Sequence, residues 1–304
     1  MPVARLLLVA RVAAAALVAW IALGQLAAWC WPGELAVSWS AHAAVVLLAP
    51  MILLRDTRRW RALCALAFAA GLWPSLMAAY ERRAPPVGAG ATLTIAHGNL
   101  LYSNRRRDEA IDALVAERPD VLLLCEAVTA DRARLEHDPR WPHQRWLIGD
   151  LCGNAVLSRF PITSAAEHVW SEKPAIAVVL DVGGRALRLI SAHPRSPSWP
   201  SHVRLRDEYL VTLGEVARAS GEPLVVIGDL NVTVASPAWR AFRSASGLRR
   251  PLRTPPTWPS HLGPLGIAID HVLVGDGLAI DPPRALRLPG SDHRGVVARV
   301  AFAR

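Results

Sequence analysis

The sequence predicts two unlike parts, an all-α transmembrane anchor of three helices followed by an α/β domain in which buried strands alternate with helices. Three observations predict this. The chain is 52% hydrophobic over 304 residues, and the excess lies in the first eighty, which are rich in Ala, Leu, Val and Trp. From Ala84 onward the composition is a globular mixture with Pro and Gly turns. In that second part, strand-like runs end repeatedly on Asn, Asp, Glu or His. The boundaries read as an anchor over 1–83, a linker over 84–91 and an α/β domain over 92–304.

Three stretches in the anchor are long enough to cross a hydrocarbon core of ~30 Å, which takes about 20 apolar residues. They are Val12–Trp31, Ala36–Leu54 and Ala62–Tyr80. Trp29, Trp31, Trp39, Trp60 and Tyr80 fall near their ends, where headgroup depth suits aromatic rings. The exit of the first stretch, Leu26-Ala27-Ala28-Trp29-Cys30, is a poor cleavage site, so the segment is read as retained and not as a signal peptide. Arg5 and Arg11 precede the first span, and Arg55, Arg58, Arg59 and Arg61 lie between the second and third. Pro32-Gly33-Glu34 carries no positive charge. The positive-inside rule then places the N-terminus in the cytoplasm and the α/β domain outside the cell membrane, although Arg82 and Arg83 oppose it. His42, near the outer end of the second stretch, is read as interfacial.

Charge argues weakly for nucleic acid. Of the formal +9, residues 1–83 hold eight arginines against three acidic groups, leaving +4 on the larger part. Arg105-Arg106-Arg107 reads as solvated surface, and no basic stripe runs along the domain. Lys173 is the only lysine. Four cysteines make no disulfide framework. Cys125 and Cys152 lie in strand-like runs, either as buried thiols or, in an oxidising compartment, as a pair.

The elements of the α/β domain follow in order. Thr92–Ala96 alternates as a strand and delivers His97-Gly98-Asn99 to a loop. Glu109–Arg118 has helical periodicity and stops at Pro119. Asp120–Glu126 is a fully buried strand with a carboxylate at its end. Gly153–Ser158 is a strand carrying Asn154 and running into a Phe160-Pro161 turn. Leu187–Ala192 is a strand ending at His193, before the stiff Pro194-Arg195-Ser196-Pro197 loop. His202–Ser220 is a helix. Leu224–Ile227 is a buried strand ending in Gly228-Asp229-Leu230-Asn231. Ile267–Val274 carries Asp270-His271, and Gly290-Ser291-Asp292-His293 precedes a last strand, Gly295–Phe302.

Any one of these polar residues has an ordinary explanation, since Asp and Asn favour turns. Six strand ends presenting such groups are what a hydrolase with a hard cation needs. Carboxylate and amide oxygens suit Mg²⁺ or Mn²⁺, whereas a zinc site wants more His or Cys.

In these motifs the chain resembles the endonuclease/exonuclease/phosphatase superfamily of DNase I-like nucleases, inositol-phosphate phosphatases and neutral sphingomyelinases. The resemblance covers residues 92–303 and rests on Gly228-Asp229-Leu230-Asn231, Ile269-Asp270-His271-Val272 and Ser291-Asp292-His293-Arg294. Pro119-Asp120, Glu126 and His193-Pro194 support it. It implies a four-layer α/β sandwich, two packed mixed sheets flanked by helices with the site at one edge. It also implies roles: Glu126 binds the metal, with Asn99 assisting and Asp292 close to metal and phosphate. Asp229 and Asn231 position water or phosphate, His193 donates to phosphoryl oxygens, Asp270 orients His293, and Asn154 contacts substrate. General base and electrostatic clamp both stay open for His293. Two departures stand out. Leu101 occupies a position where many nucleases of the family carry Asp, which favours a single-metal site, and Arg294 stands where Pro is usual.

The linker, fully extended, reaches at most ~35 Å from Tyr80. A substrate in the outer leaflet is therefore geometrically natural, which favours a lipid phosphate or pyrophosphate as partner over nucleic acid. In architecture the chain is similar to membrane proteins associated with teicoplanin resistance, and that similarity implies polyprenyl pyrophosphate as a substrate. An extracytoplasmic nuclease and a catalytically inactive, membrane-tethered binding domain are the alternatives.

Overall fold

The computed structural model describes residues 3–54, 58–88 and 91–303. The chain divides into two compact units. The first comprises residues 1–81 with Pro197–Val203 and Val232–Arg240; the second comprises Arg82–Ser196, Arg204–Asn231 and Ala241–Arg304.

The helices of the first unit are α1 (Val3–Gly24), α2 (Trp31–Ser38), α3 (Ser40–Leu53) and α4 (Arg58–Ala79). Two helices, Ala4–Gly24 and Arg58–Ala79, are long and apolar enough to cross a membrane. This corrects the expectation of three plain spans. The first helix lies further toward the N-terminus than Val12–Trp31, because Pro32 starts a new helix at a position that tolerates its missing N–H. The second stretch is bent by 66° at Trp39, so α2 and α3 make a third span only if taken together. Alone, the 14 residues of α3 rise roughly 21 Å, short of the ~30 Å core.

The break has a polar cause. Glu34 in α2 is buried, and its carboxylate accepts a 3.0 Å hydrogen bond from Ser236 Oγ. Ser38 Oγ lies 3.2 Å from Thr233 Oγ1, and Trp31 Nε1–H donates to the Pro197 carbonyl at 2.8 Å. Such groups cannot face hydrocarbon unpaired, and α2 turns them toward partners in the same unit. His42 packs its ring on Trp39, 4.9 Å between centroids. Gly71 lets α4 approach closely, since a Cβ there would meet the Ser40 carbonyl at 2.9 Å. Arg55 lies outside the described residues.

The second unit is an α/β sandwich. Its elements are β1 (Leu93–Asn99), α5 (Arg107–Ala116), β2 (Val121–Ala127), α6 (Thr129–Leu135), β3 (His143–Ile148), β4 (Gly153–Ser158), β5 (Ile162–Trp170), β6 (Lys173–Asp181) and β7 (Ala186–Ala192). There follow α7 (Pro200–Arg218), β8 (Leu224–Asp229), α8 (Pro237–Ser246), a 3₁₀ turn (Ser260–Leu265), β9 (Asp270–Val274), β10 (Leu278–Ile280), β11 (Arg284–Arg287) and β12 (Arg294–Phe302). Among the described residues one sheet runs β10-β12-β1-β2-β4-β3 with β11 on β12, and the other runs β5-β6-β7-β8-β9. Both are mixed: β1–β2 and β7–β8 are parallel, and the other neighbours antiparallel. The hairpin β5–β6 and the strands β3, β10 and β11 are additions to the elements expected from sequence.

Side-chain alternation explains where the site falls. In a strand, residues two apart share a face. Leu93 and Ile95, Val156, Leu187 and Leu189, Val225 and Ile227, and Val272 and Val274 all belong to the apolar layer between the sheets. Each fully buried Leu, Ile or Val contributes about 1.5–3 kcal/mol of transfer free energy. Continued by twos toward one end, the same faces carry His97 and Asn99, Asn154, Ser191 and His193, Asp229, and Asp270. The inter-sheet layer is thus apolar over most of its length and polar at one edge. Cys125 and Cys152 are both free thiols.

Candidate active site

At this edge the chain repeatedly adopts backbone conformations that L-residues avoid. Leu101, Glu126 and Asn231 have φ of 57°, 54° and 50°. Each strain has local support. Leu101 N–H donates to Asn99 Oδ1 at 3.0 Å, and Tyr102 N–H donates to Glu126 Oε2 at 2.8 Å. The β2–β4 register slips between Cys125 and Ala127, turning the Glu126 side chain out of the strand's alternation. The Asn231 carbonyl accepts from the buried Arg206 guanidinium, and its side-chain amide donates to the Pro194 carbonyl. Strain held this firmly gathers at functional sites.

Gly228 is required for a different reason. Its φ is 155°, and a Cβ there would lie 1.9 Å from the Ala192 carbonyl oxygen. The glycine therefore lets β8 pass β7 closely enough to set Asp229 beside His193.

The side chains converge. Asn99 Nδ2 donates to Glu126 Oε1 and to Asp229 Oδ2, each at 3.1 Å. His193 Nε2 is 3.7 Å from Asp229 Oδ2 and 4.0 Å from Glu126 Oε1. His293 Nε2 is 3.5 Å from the same Asp229 oxygen, and its Nδ1 is 2.9 Å from Asp270 Oδ2. Asn231 N–H donates to Asp229 Oδ1 at 3.0 Å. The other Asp270 oxygen lies 2.9 Å from His97 Nε2.

Seven residues singled out from sequence therefore meet: Asn99, Glu126, His193, Asp229, Asn231, Asp270 and His293. Two stand apart. Asp292 is exposed, and its carboxylate accepts from Trp258 Nε1 at 3.0 Å. Asn154 is buried and donates to the Pro174 carbonyl at 3.2 Å. Asn99 presents its amide nitrogen, not its oxygen, to the two carboxylates.

Sequence reasoning passed over several supports. Ser291 Oγ donates to the Asn99 carbonyl at 2.8 Å and accepts from His293 N–H at 3.0 Å. Tyr209 OH accepts from His193 N–H and donates to the Pro174 carbonyl. His97 sits two residues before Asn99, so strand periodicity alone puts both on one face.

Burial and charge separate the titrating groups. Burial pushes Asp229 up, the His293 cation opposes this and the Asp270 charge adds to it, leaving the carboxyl raised to about 7. For Asp270 burial also acts against ionisation, but the His293 charge and the bonds from both rings hold it well below the usual carboxylate range. Burial disfavours the His293 cation, yet Asp270 and then Asp229 raise that ring to about 10. Burial, followed by the Lys173 charge, lowers His193 to about 3, so its ring is neutral. Two neighbouring carboxylates with separated pKa values are a recurrent device for dividing acid and base roles.

The donor chemistry fits a hard cation. Glu126 and Asp229 bring carboxylate oxygens to the two sides of the Asn99 amide, and charged oxygen donors of this kind suit Mg²⁺ or Mn²⁺. Ligand atoms of Asp229, Asp270 and His293 also lie within 4.8 Å of one another. Both Asp270 oxygens are already engaged by imidazoles, however, so this trio is a hydrogen-bonded relay more than a metal cage.

A two-sheet sandwich whose edge gathers carboxylates, amides and imidazoles around a potential cation site defines a class of phosphoester-cleaving proteins. The chain belongs to the Endonuclease/Exonuclease/phosphatase family, whose model matches residues 95–293. Members of that family are mostly metal-dependent hydrolases acting on phosphoesters. Solved structures share the fold. An endonuclease/exonuclease/phosphatase from Beutenbergia cavernae DSM 12333 has 20% identity and a TM-score of 0.55, covering 70% of this chain and 72% of its own. Sphingomyelinase C from Streptomyces griseocarneus has 19% identity and a TM-score of 0.54, covering 69% and 99%. A doubly substituted beta toxin from Staphylococcus aureus with bound magnesium ions has 16% identity and a TM-score of 0.56, covering 70% and 100%. A search of the curated proteins found no match.

Proposed function

We propose that this protein is a membrane-anchored, divalent-metal-dependent phosphoesterase that hydrolyses a phosphate ester or pyrophosphate of a lipid at the outer face of the cell membrane. The observation that carries the reading is the convergence of Asn99, His193 and His293 on the Asp229 carboxylate, with Glu126 sharing the Asn99 amide, in a chain that holds two helices able to span a bilayer and a third span where α2 and α3 are taken together, the count that leaves the α/β domain outside.

The protein's own groups divide the work. Asp229, ionised above about pH 7, accepts a proton from the attacking water, and the Asn231 N–H on its other oxygen fixes its plane. His293, held as a cation by Asp270, donates from Nε2 to phosphoryl oxygen as charge develops. Neutral His193 is a second donor on the same side. Glu126 is the carboxylate left for Mg²⁺ or Mn²⁺, with Asn99 beside it, and Asp292, whose Oδ2 accepts from Trp258, is the further candidate. The ion would supply charge neutralisation at the phosphoryl group.

A lipid substrate is favoured by the rim. Tyr102 and Leu151, on the loops after β1 and β3, and Leu262 and Leu265, in the 3₁₀ turn before β9, are exposed. A nuclease needs a basic groove in that place.

The test is phosphate release from polyprenyl pyrophosphate by detergent-purified full-length protein with Mg²⁺, beside plasmid nicking on the same sample and a Glu126→Ala blank. Lipid turnover absent from the blank supports the proposal. Nicking without lipid turnover replaces it with a nuclease, and inactivity in both assays supports a binding domain without catalysis.

A further inference from the structure

His97 is a fully buried imidazole in the middle of a strand whose inward neighbours, Leu93 and Ile95, are core residues. Its Nε2 meets Asp270 Oδ1 at 2.9 Å, and its Nδ1 is buried with no hydrogen-bond partner among the described residues. An aliphatic side chain would fill this position without leaving a polar atom stranded, so packing does not account for the histidine.

Asp270 does account for it. The carboxylate is wholly buried and held ionised, which requires partners on both oxygens. The torsion that turns an Asp carboxylate about its own axis is broad. A single bond to His293 would leave that plane free to swing and one oxygen unpaired. The bond from His97 closes both gaps. It also joins the two sheets: His97 comes from β1 of one and Asp270 from β9 of the other, and His293 immediately precedes β12, the neighbour of β1. An ionised carboxylate cannot donate, so Nε2 of His97 carries the hydrogen of this bond.

We propose that His97 is a positioning residue which fixes the Asp270 carboxylate from the opposite sheet, so that the other Asp270 oxygen holds His293 Nδ1–H with its Nε2 toward Asp229. The active-site relay is then His97–Asp270–His293, with His97 touching no substrate. The role in turnover rests on the phosphoesterase reading above; the geometric claim does not.

The deciding test needs no substrate. Full-length protein labelled with ¹⁵N-histidine is observed by NMR in detergent micelles, and the His293 Nδ1–H signal is assigned by its loss in His293→Gln. His97→Gln keeps an N–H donor toward Asp270 and retains that signal. His97→Leu keeps the volume, lacks the donor, and loses or displaces it. An unchanged signal in His97→Leu, or equal loss in both variants, overturns the proposal. Thermal melting of each variant separates these results from unfolding. Kinetics on bis(4-nitrophenyl) phosphate with Mg²⁺ supply a second arm: His97→Leu lowers kcat at least tenfold with KM within twofold, and His97→Gln restores it to within threefold. In an Asp270→Ala background His97→Leu causes no further loss, whereas an additive loss contradicts action through Asp270.

Discussion

Nδ1 of His293 lies 2.9 Å from Oδ2 of Asp270, and both side chains are almost wholly buried. A charged pair in this setting is held by its geometry and by the second imidazole on Asp270. Asp270→Asn keeps the shape, removes the charge and places an amide where His293 needs an acceptor. It should lower kcat by about 10²–10⁴, the range for disabling a carboxylate-oriented histidine. Steady-state kinetics of the variant check this, and a loss confined to KM would contradict it.

The pH profile follows from the same charges. His293 is raised to about 10 from an ordinary value near 6.5, so its cation persists below that point and is lost as pH rises through it. Asp229 is raised to about 7, so its ionised form is lost as pH falls through that value. The log of kcat/KM should therefore form a plateau with limbs near 7 and 10 at low Mg²⁺. More Mg²⁺ should move the acid limb downward, because a cation favours the ionised carboxylate. Profiles at two Mg²⁺ concentrations decide the matter; an acid limb moving upward contradicts the assignment. Asp270→Asn should carry the alkaline limb down from 10.

Much of the site was legible because its residues stand at strand ends, where period-two alternation and turn chemistry are both readable. Asp229 and Asn231 follow a buried run, and His193 precedes a proline-stiffened loop. His97 is not legible in this way, because one histidine inside an apolar strand has no local signal and its partner lies 173 positions away. The hairpin β5–β6 was hidden by chemistry. Ile162–Trp170 is an edge strand, exposed at about every other residue and poor in large apolar groups, so alternation is faint. Its turn places Ser171 and Glu172 at positive φ, positions where Gly or Asn would ordinarily announce a hairpin. In the anchor, Pro32-Gly33-Glu34 reads as a polar loop by composition. It is instead the first turn of α2, because the Glu34 carboxylate finds Ser236, 202 residues away. Long-range polar partners of this kind leave no trace in a local window.

Gly228→Ala tests whether the motif glycine is steric. A Cβ 1.9 Å from the Ala192 carbonyl cannot be absorbed by a side-chain rotation, since both atoms belong to backbone in paired strands. Overpacking and a φ of 155° together should destabilise the fold by roughly 3 kcal/mol or more. Thermal or denaturant unfolding of the full-length variant in detergent measures this. A change below about 1 kcal/mol would mean that β7 and β8 separate easily.

Glu126→Gln separates metal binding from folding. The variant keeps the side-chain length and the positive-φ backbone, so any stability change stems from the exchanged group alone. One carboxylate oxygen becomes an amide nitrogen facing either the Tyr102 N–H or the Asn99 amide, donors that need an acceptor. That mismatch should cost about 1–3 kcal/mol of stability. Loss of a full negative charge among hard oxygen donors should weaken Mn²⁺ binding at least tenfold, read by the free-ion signal in electron paramagnetic resonance, and activity should fall in parallel. EDTA should abolish turnover in the parent protein, and Mg²⁺ or Mn²⁺ should restore it. If Glu126→Gln binds Mn²⁺ as tightly as the parent, the cation is held by Asp229 and its neighbours, and the division of labour between the two carboxylates must be reversed.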